Sequence, residues 1–143
     1  MSGFYLPDTS VWIAGAGPNA VPEIQSRLEI LIERRLIAIV PPVYFELMSH
    51  PFSAQEAWRS NLDGLRFFPL ETDDWREAAD WTAEVRRRGS KVRSMDALIA
   101  FMAHKHRMTL MHADADLEKL ARKVYLKVES HLAAARRWSS RRH

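Results

Sequence analysis

The sequence predicts a three-layer α/β/α sandwich around a central, mostly parallel sheet. Short apolar runs typical of strands alternate with longer segments of helical periodicity, and residues 36–40 are apolar throughout, as in a strand covered on both faces. The chain has 143 residues, 47% of them hydrophobic, which suffices for one compact core. We therefore expect a single domain over residues 1–130, followed by a basic tail over residues 131–143.

The first predicted elements are a strand, a helix and a second strand. Residues 3–7 form an apolar and aromatic run that stops at an aspartate, as a strand end does. Residues 22–35 place apolar side chains on one helical face and open with a proline that suits a first turn. The strand at 36–40 ends at two prolines, which can start a short helix through residue 47.

The middle of the chain predicts a helix, a strand and two further helices. Ser53-Ala54-Gln55-Glu56 is a capping box, so a helix should begin there and end near residue 64. Residues 65–70 have the composition of a strand. Thr72 is the expected cap of a helix that Gly89 stops. Ser94 is the expected cap of the next helix, with its buried face formed by Met95, Leu98, Ile99 and Met102.

The last predicted elements are two strands with a helix between them. Residues 108–111 form an apolar strand, and the segment after it predicts a helix capped by Asp116. A final short strand is expected at residues 124–128. Alternation of strands and helices along the whole chain favours parallel strand pairing.

Composition excludes several classes of protein. The chain has no cysteine, so it forms neither a disulfide framework nor a thiolate metal site. The longest apolar run, residues 36–45, contains two prolines and falls short of the roughly 20 residues of a membrane helix. Without an N-terminal export segment, we expect a cytoplasmic protein. Motifs for P-loop, acyl-transfer and His-Glu-x-x-His zinc chemistry are also missing from the sequence.

Acidic residues follow the predicted strands. Asp8 follows the first strand, Asp114 and Asp116 follow the strand at 108–111, and Asp96 lies in the first turn of a helix. Glu46 lies within an otherwise apolar helix, where a carboxylate needs a partner. Since side chains beyond the carboxyl ends of parallel strands share one cleft, we expect these acids to converge there.

Each acid alone also has an ordinary explanation, such as an Asx-turn, a helix cap or a first-turn acid. Convergence favours a site instead. Two carboxylates about 6 Å apart repel by on the order of 3 kcal/mol at an effective dielectric near 20, so an acidic cleft requires a cation. Oxygen ligands without cysteine point to Mg²⁺ or Mn²⁺, and such an ion suits phosphodiester hydrolysis.

Residues 15–20, Gly-Ala-Gly-Pro-Asn-Ala, have the spacing of a dinucleotide-binding fingerprint. That motif requires an acid at the end of the second strand, where this chain has two prolines, and Pro18 falls where a helix should open. We therefore interpret the glycines as a flexible loop that borders the cleft.

Four segments together resemble the PIN-domain ribonucleases, most closely the VapC-type toxins of bacterial and archaeal toxin–antitoxin pairs. They are "LPDTSVWI" with Asp8, "VYFELM" with Glu46, "SMDALIAFMAHKH" with Asp96, and "MTLMHADADLEKL" with Asp114 and Asp116. The combination spans residues 5–128 in the family's order. Two positions differ from the usual pattern: His112 replaces a Ser or Thr, and Leu117 replaces a Phe.

The resemblance implies a catalytic set formed by Asp8, Glu46, Asp96 and Asp114. It also implies a Mg²⁺ or Mn²⁺ site formed by Asp8, Asp96, Asp114 and Asp116, with Asp116 as the accessory acid of the set. Cleavage of single-stranded RNA, a homodimer and an antitoxin whose tail blocks the cleft are the implied activity and partners.

Arginine and lysine concentrate in residues 86–93 and 136–142, and such clusters favour a polyanionic partner, although solvated helix ends look the same. Arg88, Lys91 and Arg93 are the candidate RNA contacts.

Two other functions remain open. One is a non-catalytic RNA- or partner-binding module with a degenerate metal site, for which His112 is the sign. The other is a phosphatase with Asp8 as nucleophile, although that chemistry usually needs an acid where this chain has Ser10.

Overall fold

A computed structural model describes residues 3–16, 19–49 and 55–141, and for residues 55–58 the backbone only. The strands in these ranges are β1 (Tyr5–Pro7), β2 (Ala38–Ile39), β3 (Arg66–Phe67), β4 (Thr109–His112) and β5 (Val128–Ser130). The helices are α1 (Thr9–Ala16), α2 (Pro22–Glu33), α3 (Pro41–Ser49), α4 (Gln55–Asp63), α5 (Thr72–Arg87), α6 (Ser94–Lys105), α7 (Ala115–Lys123) and α8 (Leu132–Arg141).

All strand pairs are parallel. Strand β4 lies between β1 and β5, and β2 pairs with β3. A single bridge between Tyr5 and Ile37 joins the two groups of strands. Carboxyl ends of the strands therefore lie at one edge of the sheet, which confirms the predicted α/β class with a parallel central sheet.

The core forms where apolar strands meet apolar helix faces. Leu110 and Met111 of the central strand β4 are fully buried, as are Ile99 and Met102 of α6. The predicted face of α6 is only half right, because Met95 and Leu98 stay partly exposed while small residues pack inward instead. No helix in the described ranges is both long and apolar enough to span a membrane.

Helix α1 was not predicted from the sequence, and it corrects the interpretation of the glycines. Gly15 is buried inside α1, where a β-carbon would lie 2.6 Å from Ile24 Cγ2 and 2.7 Å from Leu28 Cδ1 of α2. The glycine thus allows two helices to pack closely and does not belong to a flexible loop. Gly17 and Pro18 of the same motif lie outside the described residues.

Several predicted boundaries are wrong by a few residues. Glu71 precedes α5 and forms the capping box with Asp74, so Thr72 is the first helical residue and not the cap. Ser94 likewise opens α6 without capping it, and Ser53 lies outside the described residues. The predicted strand at 65–70 shortens to two exposed residues, since only these pair with β2.

The chain after β5 is helical. Helix α8 buries Leu132 and Ala134, and Arg137 pairs with Glu23 of α2 at 3.2 Å. The last strand also begins later than predicted, because the register places Val128 opposite Leu110. Residues 124–127 therefore precede the sheet and leave Tyr125 93% exposed.

Candidate active site

Asp8 lies at the carboxyl end of β1 and is only 3% exposed. Its backbone N–H donates to the Met111 carbonyl at 2.9 Å, which fixes it beside the end of β4. Its Oδ1 accepts hydrogen bonds from Ser10 Oγ at 2.6 Å and Val11 N at 3.0 Å. One carboxylate oxygen therefore orients the side chain at the start of α1, and the other makes no hydrogen bond with the described residues.

Two hydroxyl groups after Asp8 join this strand end to other elements. Ser10 Oγ accepts a hydrogen bond from Ala113 N at 3.0 Å, in the loop that follows β4. Thr9 Oγ1 donates to Glu46 Oε1 at 2.6 Å and so connects α1 to α3. Neither hydroxyl is among the site residues predicted from the sequence. Their position directly after Asp8 is the signal that could have identified them.

Asp114 begins α7. Its Oδ1 accepts hydrogen bonds from Asp116 N at 2.7 Å and Leu117 N at 3.2 Å, as an N-cap does. The cap is therefore Asp114 and not Asp116, because the backbone N–H groups of the first turn point toward Asp114. Asp116 lies exposed in the first turn of α7.

Arg93 lies between Asp96 and Asp114 and contacts both. Its Nη2 lies 3.3 Å from Asp96 Oδ2 and 3.9 Å from Asp114 Oδ2. The Arg93 side chain is 70% exposed, whereas the side chains of Asp96 and Asp114 are 15% and 28% exposed. Although it is buried, Asp96 Oδ2 accepts no well-aligned hydrogen bond in the described residues. An exposed guanidinium therefore bridges two sheltered carboxylates.

Burial and mutual repulsion change the titration of the acids. The pKa of Asp8 is raised to about 7, mainly by burial. The hydrogen bonds from Ser10 and Val11 oppose this shift, and the charges of Asp114 and Asp96 contribute to it. Burial also raises the pKa of Asp96, with Asp114 and Glu46 adding to the shift and Arg93 opposing it. The charges of these acids thus act on one another, as expected for side chains at one edge of a parallel sheet. The acids are Asp8, Glu46, Asp96 and Asp114.

The donor set fits a hard divalent cation. Asp8, Glu46 and Asp114 each use one oxygen to hold their position, and Asp96 Oδ2 has the ion pair with Arg93 as its contact. Carboxylate oxygens are the donors that a hard ion such as Mg²⁺ or Mn²⁺ prefers. No three acidic or histidine side chains within the described ranges are close enough to form a ready metal site.

Comparison with known proteins places the chain in a family. The model of the PIN domain matches residues 5–123. The chain belongs to the PIN domain family. Two relatives are 29% identical over 130 residues, covering 87% of this chain and 97% of each relative: a VapC ribonuclease of Mycobacterium bovis and ribonuclease VapC11 of Mycobacterium tuberculosis.

Solved structures share the fold of this PIN domain. The VapBC2 structure from Rickettsia felis, bound to a DNA fragment from its promoter, has a TM-score of 0.68 at 21% identity, covering 89% of this chain and 98% of the other. FitAB bound to a DNA fragment has a TM-score of 0.71 at 18% identity, covering 89% and 94%.

His112 is the main departure of this PIN domain from the expected pattern. Its side chain is completely buried at the end of β4. Its Nδ1 accepts a long hydrogen bond, 3.4 Å, from Asp114 N, and its Nε2 has no partner among the described residues. Burial lowers the pKa of this imidazole, which favours the neutral ring. His112 therefore supports the backbone that presents Asp114.

The candidate RNA contacts of this PIN domain lie on the segment between α5 and α6. Arg86 donates two hydrogen bonds to the Val92 carbonyl, at 2.7 and 3.2 Å, and so folds the segment back onto α5. Lys91 is exposed, and Arg88 lies 3.6 Å from Glu84 with 58% of its side chain exposed. Of the three candidates, Arg93 alone makes an ion pair with the acids.

Proposed function

We propose that this chain is a Mg²⁺- or Mn²⁺-dependent endoribonuclease that acts as the toxin of a VapBC-type toxin–antitoxin pair. The observation that carries the proposal is the gathering of Asp8, Glu46, Asp96 and Asp114 from four separate parts of the chain at one edge of the sheet. Membership of the PIN domain family and relatives named as VapC ribonucleases support it.

The acids divide into two roles. Asp8, Asp96 and Asp114 are the proposed metal ligands, with Asp116 nearby on the first turn of α7, and Glu46 completes the catalytic set. When bound, a divalent ion supplies a water molecule of lowered pKa and offsets charge on the phosphate. Ser10 and Thr9 keep the carboxylates oriented through their hydrogen bonds, so that little rearrangement is needed on binding.

Arg88, Lys91 and Arg93 are the proposed contacts to RNA phosphates. All three are exposed in the segment between α5 and α6, and Arg93 lies within 3.9 Å of Asp96 and Asp114. Arg93 lies in the site itself and would compete with a metal ion for Asp96 and Asp114. A guanidinium at this position could pair with the phosphate backbone of the substrate.

A protein antitoxin and a homodimer are the proposed partners, and the cytoplasm the proposed compartment. The antitoxin is supported by the toxin–antitoxin complexes among the solved structures of the same fold. Exposed Phe45 of α3 and Phe67 of β3, at 64% and 47%, offer apolar surface for such a contact.

A non-catalytic PIN-fold module that binds RNA or a partner is the second candidate. It is favoured by His112 and by the lack of a ready three-ligand group in the described part of the chain. Binding of RNA without cleavage in Mg²⁺ and in Mn²⁺ would select this second function.

Cleavage of a single-stranded RNA is the test of the first function. The wild-type protein should cut it with Mg²⁺ or Mn²⁺ and not with EDTA, and sequencing of the new ends would define the cut site. Asp114→Asn should slow cleavage at least about tenfold, a loss typical even of residues that only support a metal ligand. Asparagine is as good an N-cap as aspartate, so α7 should remain intact.

Asp73→Asn is the matched control, because Asp73 is an 84% exposed acid in the first turn of α5. It should cut as fast as the wild-type protein. Equal rates for wild type and Asp114→Asn would overturn the proposal.

A further inference from the structure

A cavity lies at the edge of the sheet opposite the acids. It has a volume of about 400 Å³, and its lining includes Arg107 and Met108 before β4, together with Tyr125, Leu126 and Lys127 before β5. Asp114 follows the other end of β4, so the four residues of this strand separate the cavity from the acids by more than about 13 Å. The cavity is therefore not part of the proposed active site.

The cavity combines cations with an exposed aromatic ring. Arg107 and Lys127 lie in its lining with the imidazole of His104, and the described lining residues include no aspartate or glutamate. Tyr125 is 93% exposed and makes no ring contact or hydrogen bond with the described residues. The His104 ring, in contrast, is stacked on Trp81 with the ring centroids 5.9 Å apart. One aromatic face is thus left open beside two positive charges.

These groups match the chemistry of a nucleotide. A base stacks on an aromatic ring, while the attached phosphate pairs with lysine or arginine, and this combination recurs in proteins that bind single-stranded nucleic acid. An acidic peptide could contact the two cations but would not stack on the tyrosine ring. The ring therefore favours a nucleotide over a peptide as the ligand.

We propose that this cavity binds a nucleotide of single-stranded RNA, with the base on Tyr125 and the phosphate between Arg107 and Lys127. The proposal rests on the proposed function, since RNA is the polymer that the acids at the other edge would cut. The cavity would hold the strand at a distance from the cleavage site, which adds affinity without contact to the scissile bond.

The proposal can be tested by measuring the binding of a fluorescein-labelled uridine hexanucleotide through its fluorescence anisotropy. The measurement uses the Asp8→Asn protein, which should not cut the probe. Adding Tyr125→Ala should weaken binding about tenfold, whereas Tyr125→Phe keeps the stacking face and should bind as before. Adding Lys127→Ala should lower the slope of log affinity against log salt by about 0.7, the value for one phosphate contact on a single strand.

The Arg107→Gly variant has a matched control, Arg35→Gly, at a position with a similar backbone conformation. Arg107 and Arg35 each follow a helix with a positive φ, of 53° and 57°, so glycine relieves the backbone equally at both positions. Arg107→Gly should weaken RNA binding, and Arg35→Gly should not. This pair separates loss of the guanidinium from a change in the backbone.

Two results would overturn the cavity proposal while leaving the proposed function intact. One is equal affinity of the Tyr125→Ala and Tyr125→Phe proteins for the RNA probe. The other is displacement of the probe by oligoglutamate at the same concentrations at which uridine monophosphate displaces it. Absence of RNA binding in every variant would overturn both proposals.

Discussion

Hydrogen bonds of Thr9 and Ser10 hold the acids of this site in place before any ion arrives. Each hydroxyl donates to a carboxylate at 2.6 Å, to Glu46 from Thr9 and to Asp8 from Ser10. Because these donors use only one oxygen of each carboxylate, the other oxygen remains available to a ligand. Orientation of the acids is therefore a property of the folded chain itself.

Titration of Asp8 gives a stability prediction. In the metal-free protein its pKa rises from 3.8 to about 7, so the folded state holds a proton that the unfolded state has lost between these values. The contribution of Asp8 to the free energy of unfolding should therefore fall as pH rises from about 4 to about 7, by on the order of 3 kcal/mol. Asp96, whose pKa is also raised, adds to the fall.

Urea unfolding in EDTA across this pH range measures the effect. Asp8→Asn keeps an acceptor oxygen for Ser10 and Val11 but cannot ionise, so the variant should gain stability relative to wild type as pH rises and should exceed it at pH 8. The lowered pKa values of His106 and His112 have the opposite effect on stability, but they act in both proteins. A difference in the free energy of unfolding between the two proteins that stays constant from pH 4 to pH 8 would contradict the raised pKa.

The acids could be predicted from the sequence, but their contacts could not. Asp8, Asp96 and Asp114 stand at strand ends or first turns, and periodicity locates these positions. The choice between Asp114 and Asp116 as helix cap depends on which one the backbone N–H groups face, which spacing does not determine. The i, i+3 spacing of Arg93 and Asp96 is visible in the sequence, whereas the contact of Arg93 with Asp114 depends on the fold.

Packing of α1 against α2 places Asp8 relative to the rest of the site. Gly15 permits the contact, so Gly15→Ala should force its new methyl group against Ile24 and Leu28. We expect a loss of about 1 to 3 kcal/mol in the free energy of unfolding, measured by denaturant titration. Gly64→Ala is the control, since a β-carbon there meets nothing within 4 Å. Equal stability of the two variants would contradict the close packing.

Long amphipathic helices were predicted more accurately than short elements. Helix α2 begins at Pro22 as expected, because its apolar face and its proline agree. Helix α1 is not predicted, since it is short and has no clear polar face, and since the side chain that accepts a hydrogen bond from its Val11 N–H is Asp8, which directly follows a strand. The two-residue β3 depends on its pairing with β2, which is a long-range contact.

Charge is distributed unevenly over the molecule. The chain has a net charge of +3, yet Asp8, Asp96 and Asp114 lie at the carboxyl edge of the sheet, while Arg107 and Lys127 lie at the amino edge. In the metal-free protein the charge of Arg93 offsets that of Asp96 and Asp114. A divalent ion would compete with Arg93 for these carboxylates, so Arg93→Gln should bind Mn²⁺ more tightly than wild type, and Arg88→Gln should bind it equally well.

Calorimetric titration with Mn²⁺ measures most directly whether the gathered acids form a cation site. Wild type should bind the ion at millimolar concentration or below, Asp8→Asn should bind it at least about tenfold more weakly, and Asp73→Asn should match wild type. No binding by wild type at millimolar Mn²⁺, or equal affinity of wild type and Asp8→Asn, would contradict a divalent-ion site at this edge of the sheet.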